Sequence, residues 1–375
     1  MRLKSILKPV AVIGAAAMLV SASGCADTSW SLKTQKKTLT NGGWIYYTYD
    51  AANEAISKIN EDSEQEFDIT KDDLSSKKIE GKAAYDWIYD TAKKNALHFL
   101  TVDKLCRDNK LDEDKNAKKN IVKTYQGYFD AGYMDIYKDL GIGAETFAEL
   151  LGYSSEREKQ LFDYLYGSEG PKAVKDDELT KYFKEKYTTY YYIPYSLKTT
   201  DENQNEVDID DETHDKVISS FAKYAKDLNE GKTTDEIDDA YKTDFSVETS
   251  AGVKQTAVLE DSGLPEELQK AIKELDDKKA AVKTIDNTHY LIYKGSIDDE
   301  AKTLPEEADE VGDISKHQIR HEMKDDDFKS YIDEEQKKLK YEVNDACLSK
   351  YSVSRTVDIM KSNAQKTASE NAAAD

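Results

Sequence analysis

Residues 176–197 read DDELTKYFKEKYTTYYYIPYSL, and the character of the chain changes within this stretch. In its first half, Leu179, Tyr182 and Phe183 recur at helical spacing behind an acidic start. From Tyr187 the sequence is dense in Tyr, Thr and Ile, which pack well on a pleated sheet. The stretch therefore predicts a helix over 176–187 followed at once by a strand over 187–197, in a fold that mixes helices with a sheet.

The residues after this strand predict a small α+β domain that covers 188–296. Apolar residues recur at helical spacing in three segments, and two short apolar runs follow, joined by the turn Asp286-Asn287. We expect three helices and then two strands, over 212–229, 234–241, 265–275, 280–285 and 289–293. This order predicts one sheet covered by helices.

Helical patterns flank the domain on both sides. Residues 44–187 predict an N-terminal helical region that ends in the linker helix, and residues 297–361 predict a C-terminal helical region. Within these regions the expected helices begin near Trp44, cover 81–109 and 112–140, begin again at Ser154 or Ser155, and cover 314–324 and 328–339. The last two are expected to be joined by an acidic turn at Asp325–Asp327.

The segments that precede and follow these helical regions are predicted to be irregular. Residues 25–43 are interpreted as a tether with a strand-like start that closes at the turn signal Asn41-Gly42-Gly43. Residues 362–375 are rich in Ala, Ser and Asn without apolar periodicity, so we expect a disordered tail.

Residues 1–24 have the pattern of a bacterial lipoprotein signal. Arg2, Lys4 and Lys8 precede an apolar run over 10–20, and small residues then lead to Cys25. The run is shorter than the roughly 20 residues needed to span a bilayer. The pattern resembles a lipobox, which implies that Cys25 is lipidated and becomes the first mature residue. Its two acyl chains would anchor the protein stably. We expect an extracytoplasmic protein on the outer face of the bacterial cytoplasmic membrane.

Composition excludes some classes of function. The net charge of -22 disfavours a nucleic-acid binder, and also argues against docking on anionic lipids through a basic patch. Besides Cys25, only Cys106 and Cys347 occur, which excludes a disulfide scaffold or a CxxC metal site. These two cysteines are interpreted as buried thiols, with a bridge between them as the alternative.

Three segments carry a resemblance to a known family. They are Val174-Lys-Asp-Asp-Glu-Leu-Thr-Lys-Tyr-Phe, then Val217–Glu236 with Leu228 and Gly231, then Gly263-Leu-Pro-Glu-Glu-Leu-Gln-Lys-Ala-Ile with Thr288-His-Tyr-Leu-Ile-Tyr. Together with the signal and the order of the regions, they resemble the parvulin-type extracytoplasmic foldases of the PrsA/SurA kind. The resemblance implies a chaperone module formed by the N- and C-terminal helical segments, an inserted peptidyl-prolyl isomerase domain, and unfolded or late-folding exported polypeptides as partners.

The inserted domain departs from this family on its two active-site strands. The family has His-Ile-Leu on the first strand, where this chain has Tyr192-Ile193-Pro194. On the last strand the family's histidine falls at Tyr290, and His289 lies one place earlier, which in a strand is the opposite face. We therefore expect a degenerate isomerase domain, with no catalytic residue at Tyr192, Pro194, His289 or Tyr290.

Aromatic residues at the start of the N-terminal helical region are candidates for client binding. Exposed aromatic side chains suit adaptable apolar recognition, and the candidates here are Trp44, Tyr46, Tyr47 and Tyr49. The alternative is that each of them packs in the core of the helical region.

The sequence predicts no cofactor and no metal. His317 and His321 have the i, i+4 spacing of helical zinc sites, but Gln318 stands where such a motif requires glutamate. We interpret both histidines as solvated.

Three functional hypotheses follow. The first is a membrane-anchored holdase or foldase for exported proteins, whose isomerase activity is lost. The second is an active prolyl isomerase with a rearranged site. The third is a non-catalytic binding or scaffold lipoprotein at the cell surface.

Overall fold

The computed structural model describes residues 29–61, 63, 65–308 and 314–374. Its residues are 59% helical and 14% strand, so the mixture of helix and sheet predicted from the sequence is confirmed. The predicted signal and Cys25 lie outside the described residues. Among the helices that are described, none is long and apolar enough to cross a membrane. The chain divides into two units: one comprises the described residues up to Phe162 and from Lys329, and the other comprises Asp163–Phe328.

The elements follow one another along the chain. The first half contains β1 (Trp30–Lys33), β2 (Thr38–Thr40), α1 (Asn41–Glu61), β3 (Lys78–Ile79), β4 (Lys82–Ala83), α2 (Ala84–Asp108), α3 (Lys115–Asp130), α4 (Asp135–Asp139), α5 (Ala144–Phe147), α6 (Ser154–Tyr166) and α7 (Asp176–Lys186). The second half contains β5 (Thr188–Ser196), β6 (Lys198–Thr200), β7 (Glu206–Asp208), α8 (Asp211–Asn229), α9 (Thr234–Phe245), β8 (Val253–Ala257), α10 (Glu266–Glu274), β9 (Lys279–Ile285), β10 (Thr288–Lys294), α11 (Ile297–Lys302), α12 (Lys316–Lys337), β11 (Glu342–Val343), α13 (Asp345–Lys350) and α14 (Val353–Ala374).

The first unit joins segments from both ends of the chain. Strand β1 lies between β2 and β11, both antiparallel to it, with Leu32 opposite Val343. Trp44 at the start of α1 is fully buried, and its Nε1–H donates to the carbonyl oxygen of Tyr351 at 3.0 Å. The apolar faces of α1, α2 and α14 share one core. The N- and C-terminal segments are therefore bound together by a sheet and a core.

The second unit is a sheet covered on both faces. Its four antiparallel strands have the order β8-β5-β10-β9, with Ile193 of β5 opposite Leu291 of β10. Tyr191 packs with α8 and α9 on one face, and Tyr190 packs with α10 on the other. Because successive strand residues point to opposite faces, the tyrosine-rich run over 190–192 supplies both cores of the unit.

The start of α1 differs from the expected turn. Asn41-Gly42-Gly43 lies inside the helix, and the Oγ1 of Thr40 caps it by accepting the N–H of Gly43 at 3.3 Å. A Cβ at Gly43 would lie 2.4 Å from the Cδ1 of Leu39. The glycine therefore serves close packing rather than a turn. Residues 30–43, interpreted as a tether with a strand-like start, contribute the strands β1 and β2 and the first residues of α1.

The C-terminal segments are more continuous than expected. The acidic turn at 325–327 is wrong, because α12 passes through it unbroken; Asp325 accepts from His321 at 2.7 Å and Asp327 from Lys324 at 2.8 Å along the helix. The expected disordered tail also differs from the structure, in which α14 continues to Ala374. Alanines and the absence of Gly and Pro favour this helix despite its weak apolar pattern.

Several other boundaries differ as well. The predicted helix over 112–140 breaks after Asp130, where Gly132 has φ +84°, and resumes as α4. Helix α6 begins at Ser154 as expected, but Ser154 is not an N-cap, because α5 continues into α6 through a π-helical turn over Ala148–Tyr153. Strand β8 was not predicted, because its residues are mostly polar and exposed. Cys106 and Cys347 are buried thiols that form no disulfide with each other, and burial raises the pKa of the Cys106 thiol to about 11.

Candidate functional site

A groove of about 680 Å³ opens on the first unit between α1, α4 and α14. Its lining is Tyr49, Asn53 and Ile56 of α1, Ile69 of the following loop, Asp135, Ile136 and Asp139 of α4, and Met360, Asn363, Ala364, Lys366, Thr367 and Ala368 of α14. The volume falls in the range of ligand pockets, roughly 300–1,000 Å³. Segments that are 300 residues apart in sequence thus form one concave surface.

The groove combines an apolar floor with polar groups. Ile56, Ile69 and Met360 pack against the core of the unit while also lining the groove. Tyr49 is partly exposed there, and its ring is held edge-on by Tyr137 with the centroids 5.4 Å apart. Asp135 and Asp139 are exposed at the α4 side. Asp135 pairs with Lys138 at 2.9 Å, and Lys366 adds a positive charge on the α14 side, so an apolar floor is edged by charges of both signs.

Asn363 contributes an unsatisfied donor. It lines the groove, and its Nδ2 is buried with no hydrogen-bond partner among the described residues. An amide left without a partner costs about 1–3 kcal/mol. A ligand carbonyl that reaches this amide after a small rotation of its side chain would recover that cost. Asn53 offers a second amide on the facing helix.

The four predicted client-binding aromatics are not equivalent. Tyr49 lines the groove, as just described. Trp44, Tyr46 and Tyr47 are buried in the core of the first unit, so the expectation that they line an exposed cradle is wrong for this structure. Burial raises the pKa of Tyr46 and Tyr47 above that of an ordinary phenol. The core-packing alternative describes these three residues, because they lie on the face of α1 that meets the other helices.

Two of the degenerate isomerase positions lie side by side in the second unit. Tyr192 of β5 and Tyr290 of β10 are on one face of the sheet, with ring centroids 6.3 Å apart. Burial, and then the neighbouring Tyr290, raise the pKa of Tyr192. The Tyr192 phenol therefore stays protonated near neutral pH. Two tyrosines can donate hydrogen bonds, but they cannot exchange protons in the way a pair of histidines does.

Pro194 lies directly opposite Tyr290 in the same sheet. Proline is disfavoured inside a sheet because it has no N–H to donate. Here β8 pairs with β5 only from Thr188 to Tyr192, so Pro194 lies beyond the end of that neighbour. The missing N–H therefore costs no ladder hydrogen bond on that side.

His289 lies on the opposite face from Tyr290, as its strand position indicates. It is 5% exposed, packs against Phe221 with ring centroids 5.4 Å apart, and its Nδ1 is 2.8 Å from the Oγ1 of Thr284. Its Nε2 has no hydrogen-bond partner within the described part of the chain. Burial lowers the pKa of His289, and the nearby His214 lowers it further. This imidazole is a neutral core residue.

We expect His289 to make the second unit less stable in mild acid. Its pKa is lower in the folded than in the unfolded protein, where it is about 6.5. As the pH falls below 6.5, the unfolded state takes up the proton first, so the free energy of unfolding decreases by at most about 1.4 kcal/mol per pH unit until the folded pKa is reached. Urea unfolding of the wild type and of His289→Phe between pH 8 and pH 5 measures this.

The difference between these two proteins isolates His289, because the other four histidines are common to both. Phenylalanine preserves the packing on Phe221, and Thr284 is exposed enough to bind water instead. Parallel pH profiles for the two proteins would contradict the assignment.

His317 and His321 are not free in solvent, contrary to expectation. Their rings are in contact, with centroids 4.6 Å apart on α12. The Nδ1 of His317 lies 3.4 Å from Asp163, and that of His321 lies 2.7 Å from Asp325. Within the described residues, no group of three or more His, Cys, Asp or Glu side chains is arranged to hold a metal ion.

Sequence reasoning missed most of the groove. Of its lining residues only Tyr49 was a candidate, and Ile69, Ile136 and Met360 had no signal that linked them. Tyr133, which is 78% exposed just before α4, was also missed. Exposure of so large an aromatic residue is visible only in the folded chain.

The comparisons with known proteins return solved foldase structures. The chain is similar to the foldase protein PrsA from Streptococcus pneumoniae, with 17% identity over 71% of this chain and 93% of that one, and a TM-score of 0.28. PrsA from Bacillus subtilis gives 17% identity over 71% and 91%, and a TM-score of 0.29. No protein-family model and no curated protein matches. Likeness at these TM-scores transfers no activity, so function is inferred from this chain's own residues.

Proposed function

We propose that this chain is a lipid-anchored extracytoplasmic chaperone of the holdase or foldase kind, which binds unfolded exported polypeptides and has lost prolyl isomerase activity. The groove between α1, α4 and α14 carries the proposal. An extended, unfolded segment exposes apolar side chains and unpaired backbone groups. The groove matches them with an apolar floor and with side-chain amides. The lipid on Cys25 would hold this groove at the membrane face where exported chains emerge.

The composition of the groove suits clients of varied sequence. Met360 adapts its shape to different apolar side chains because it is unbranched and flexible. The amides of Asn53 and Asn363 can bind backbone carbonyls, which every client segment has. Asp139 and Lys366 at the rim can pair with basic and with acidic side chains of a client, respectively. Selection is therefore by class of chemistry rather than by one sequence.

The second unit supports loss of catalysis. Prolyl isomerisation has a barrier of about 18–20 kcal/mol, and the family to which the sequence is similar uses two histidines on adjacent strands. This chain has Tyr192 and Tyr290 at those positions, while His289 points into the opposite core. A protease-coupled assay on a proline-containing peptide should give no rate above background with the purified protein.

Filling the groove should reduce chaperone activity about tenfold. Ala364→Trp places an indole among the lining residues, where it occupies the space that a client needs. Gln365→Trp, one position along α14, adds the same side chain at an exposed residue outside the lining. The measurement is the concentration that halves aggregation of a denatured model protein. A tenfold increase for Ala364→Trp corresponds to about 1.4 kcal/mol of client binding.

The neighbouring variant separates the groove from general effects of an added tryptophan. Urea unfolding of both variants should agree with the wild type to within about 1 kcal/mol, which confirms that the fold is intact. Equal activity of the two variants would exclude the groove as the client site. No suppression by the wild type at several-fold excess would exclude the chaperone function itself.

A further inference from the structure

A second cleft of the first unit, about 450 Å³ in volume, concentrates positive charge. Three separate segments supply it: the β1–β2 loop, the end of α2 and the chain after α12. The charged residues that line it are Lys36, Lys104, Arg107, Asp108, Lys338 and Lys340. Five cations and one carboxylate thus face one space in a protein whose net charge is -22.

Two of the five cations have no carboxylate to neutralise them. Lys104 pairs with Asp108, Arg107 with Asp103, and Lys338 with Glu335 at 2.8 Å. Lys36 and Lys340 are exposed and form no ion pair with any described residue. A pair of unneutralised ammonium groups at one cleft attracts an anion more strongly than scattered lysines do, because their potentials add.

The position of the cleft along the chain indicates its ligand. Lys36 belongs to the loop that follows β1, and β1 begins at Trp30, five residues after Cys25. Five residues reach at most about 18 Å even when fully extended. If Cys25 carries lipid, Trp30 is therefore held within that distance of the headgroups, and Lys36, six residues further along, within about 40 Å. The anionic phosphates of those headgroups are then ligands that the tether keeps within reach of the cleft.

We propose that this basic cleft binds anionic phospholipid headgroups and orients the first unit on the membrane. The proposal rests on the lipid anchor proposed above. Each Lys or Arg near an anionic surface contributes about 1 kcal/mol, and the remaining acidic surface is repelled. A tethered protein needs no more than this to prefer one orientation. The net negative charge argued against lipid docking. The positively charged cluster was not visible in the sequence, because its residues come together only in the folded chain.

The test uses the mature chain with Cys25→Ser, which retains every described residue but has no lipid. Co-sedimentation is measured at low salt with vesicles of equal parts phosphatidylglycerol and phosphatidylcholine, and with vesicles of phosphatidylcholine alone. We expect binding to the anionic vesicles only, abolished at about 0.5 M salt because charges are then screened within a few ångströms. Lys36→Glu with Lys340→Glu should reduce the partition coefficient at least tenfold.

A matched pair of substitutions controls for net charge. Lys119→Glu with Lys123→Glu makes the same change at two exposed α3 lysines that form no ion pair among the described residues, and it should alter binding less than threefold. Equal losses for both double variants, or equal binding to both kinds of vesicle, would overturn the proposal. So would binding of soluble polyphosphate through Lys36 and Lys340 without binding of vesicles, since the ligand would then be a free phosphate polymer.

The result of the vesicle-binding experiment can be distinguished from that of the chaperone assay. Lys36→Glu with Lys340→Glu should suppress aggregation as well as the wild type does, because neither lysine lines the groove. Normal suppression with lost vesicle binding supports the cleft, and normal suppression with unchanged vesicle binding overturns it. Failure of the wild type to suppress aggregation would count against the chaperone function while leaving the vesicle result to stand.

Discussion

Trp44→Ala is expected to lower the free energy of unfolding of the first unit by about 3–5 kcal/mol. Trp44 has no exposed surface and is among the largest fully buried side chains. Its ring packs edge-on against Tyr89 with centroids 5.5 Å apart. Its Nε1–H also donates to the Tyr351 carbonyl, which lies 307 residues away in sequence. The substitution therefore leaves a cavity, removes a ring contact and leaves a carbonyl without its donor.

Urea unfolding would measure this loss of stability, and hydrogen exchange on the folded protein would locate it along the chain. Reduced protection should appear in α1, α2 and α14, which share the core around Trp44. Trp30→Ala is the matched control, because Trp30 is only half-buried at the end of β1 and contacts Lys33. That substitution should cost less than about 2 kcal/mol. If the Trp44→Ala protein had normal stability and failed to bind clients, Trp44 would instead belong to the client-binding surface.

Much of the second unit could be predicted because its signals are local. The change from helical spacing to a Tyr- and Thr-rich run at 187–188 locates the start of β5 almost to the residue. The opposite orientations of His289 and Tyr290 follow from strand alternation alone. Strand β8 had no such signal, because Val253–Ala257 is an edge strand whose side chains are largely exposed. Its place depends on hydrogen bonds to β5 that no apolar pattern records.

The groove and the basic cleft could not be predicted, because each is assembled from distant segments. Met360 lines one groove with Tyr49, and Lys340 lines one cleft with Lys36, in a unit where β11 from the C-terminal segment pairs with β1. The turn predicted at Asn41-Gly42-Gly43 was wrong for a different reason: the glycine at 43 permits a close approach to Leu39, four residues earlier. Local sequence specifies the helices and strands of this protein. The groove and the basic cleft depend on how its N- and C-terminal segments pack together.

Phe221→Ala should destabilise the second unit by about 3–5 kcal/mol. Phe221 is fully buried on α8 at the centre of an aromatic cluster. Its ring centroid lies 5.4 Å from that of His289, 6.0 Å from that of Tyr224 and 6.3 Å from that of Tyr195. Truncation opens a cavity beside the one buried imidazole of this cluster. The core loses both its packing and the group that shields His289.

This variant has a second readout that packing loss elsewhere would not produce. Water entering the cavity can solvate the charged imidazole, so the pKa of His289 should rise towards its ordinary value. Titration of the His289 ring by NMR measures that shift. Ile218→Ala is the control, because Ile218 is 37% exposed on the same helix and should cost less than about 1 kcal/mol without moving the titration. An unchanged His289 titration in Phe221→Ala would show that burial by this ring does not set the histidine's pKa.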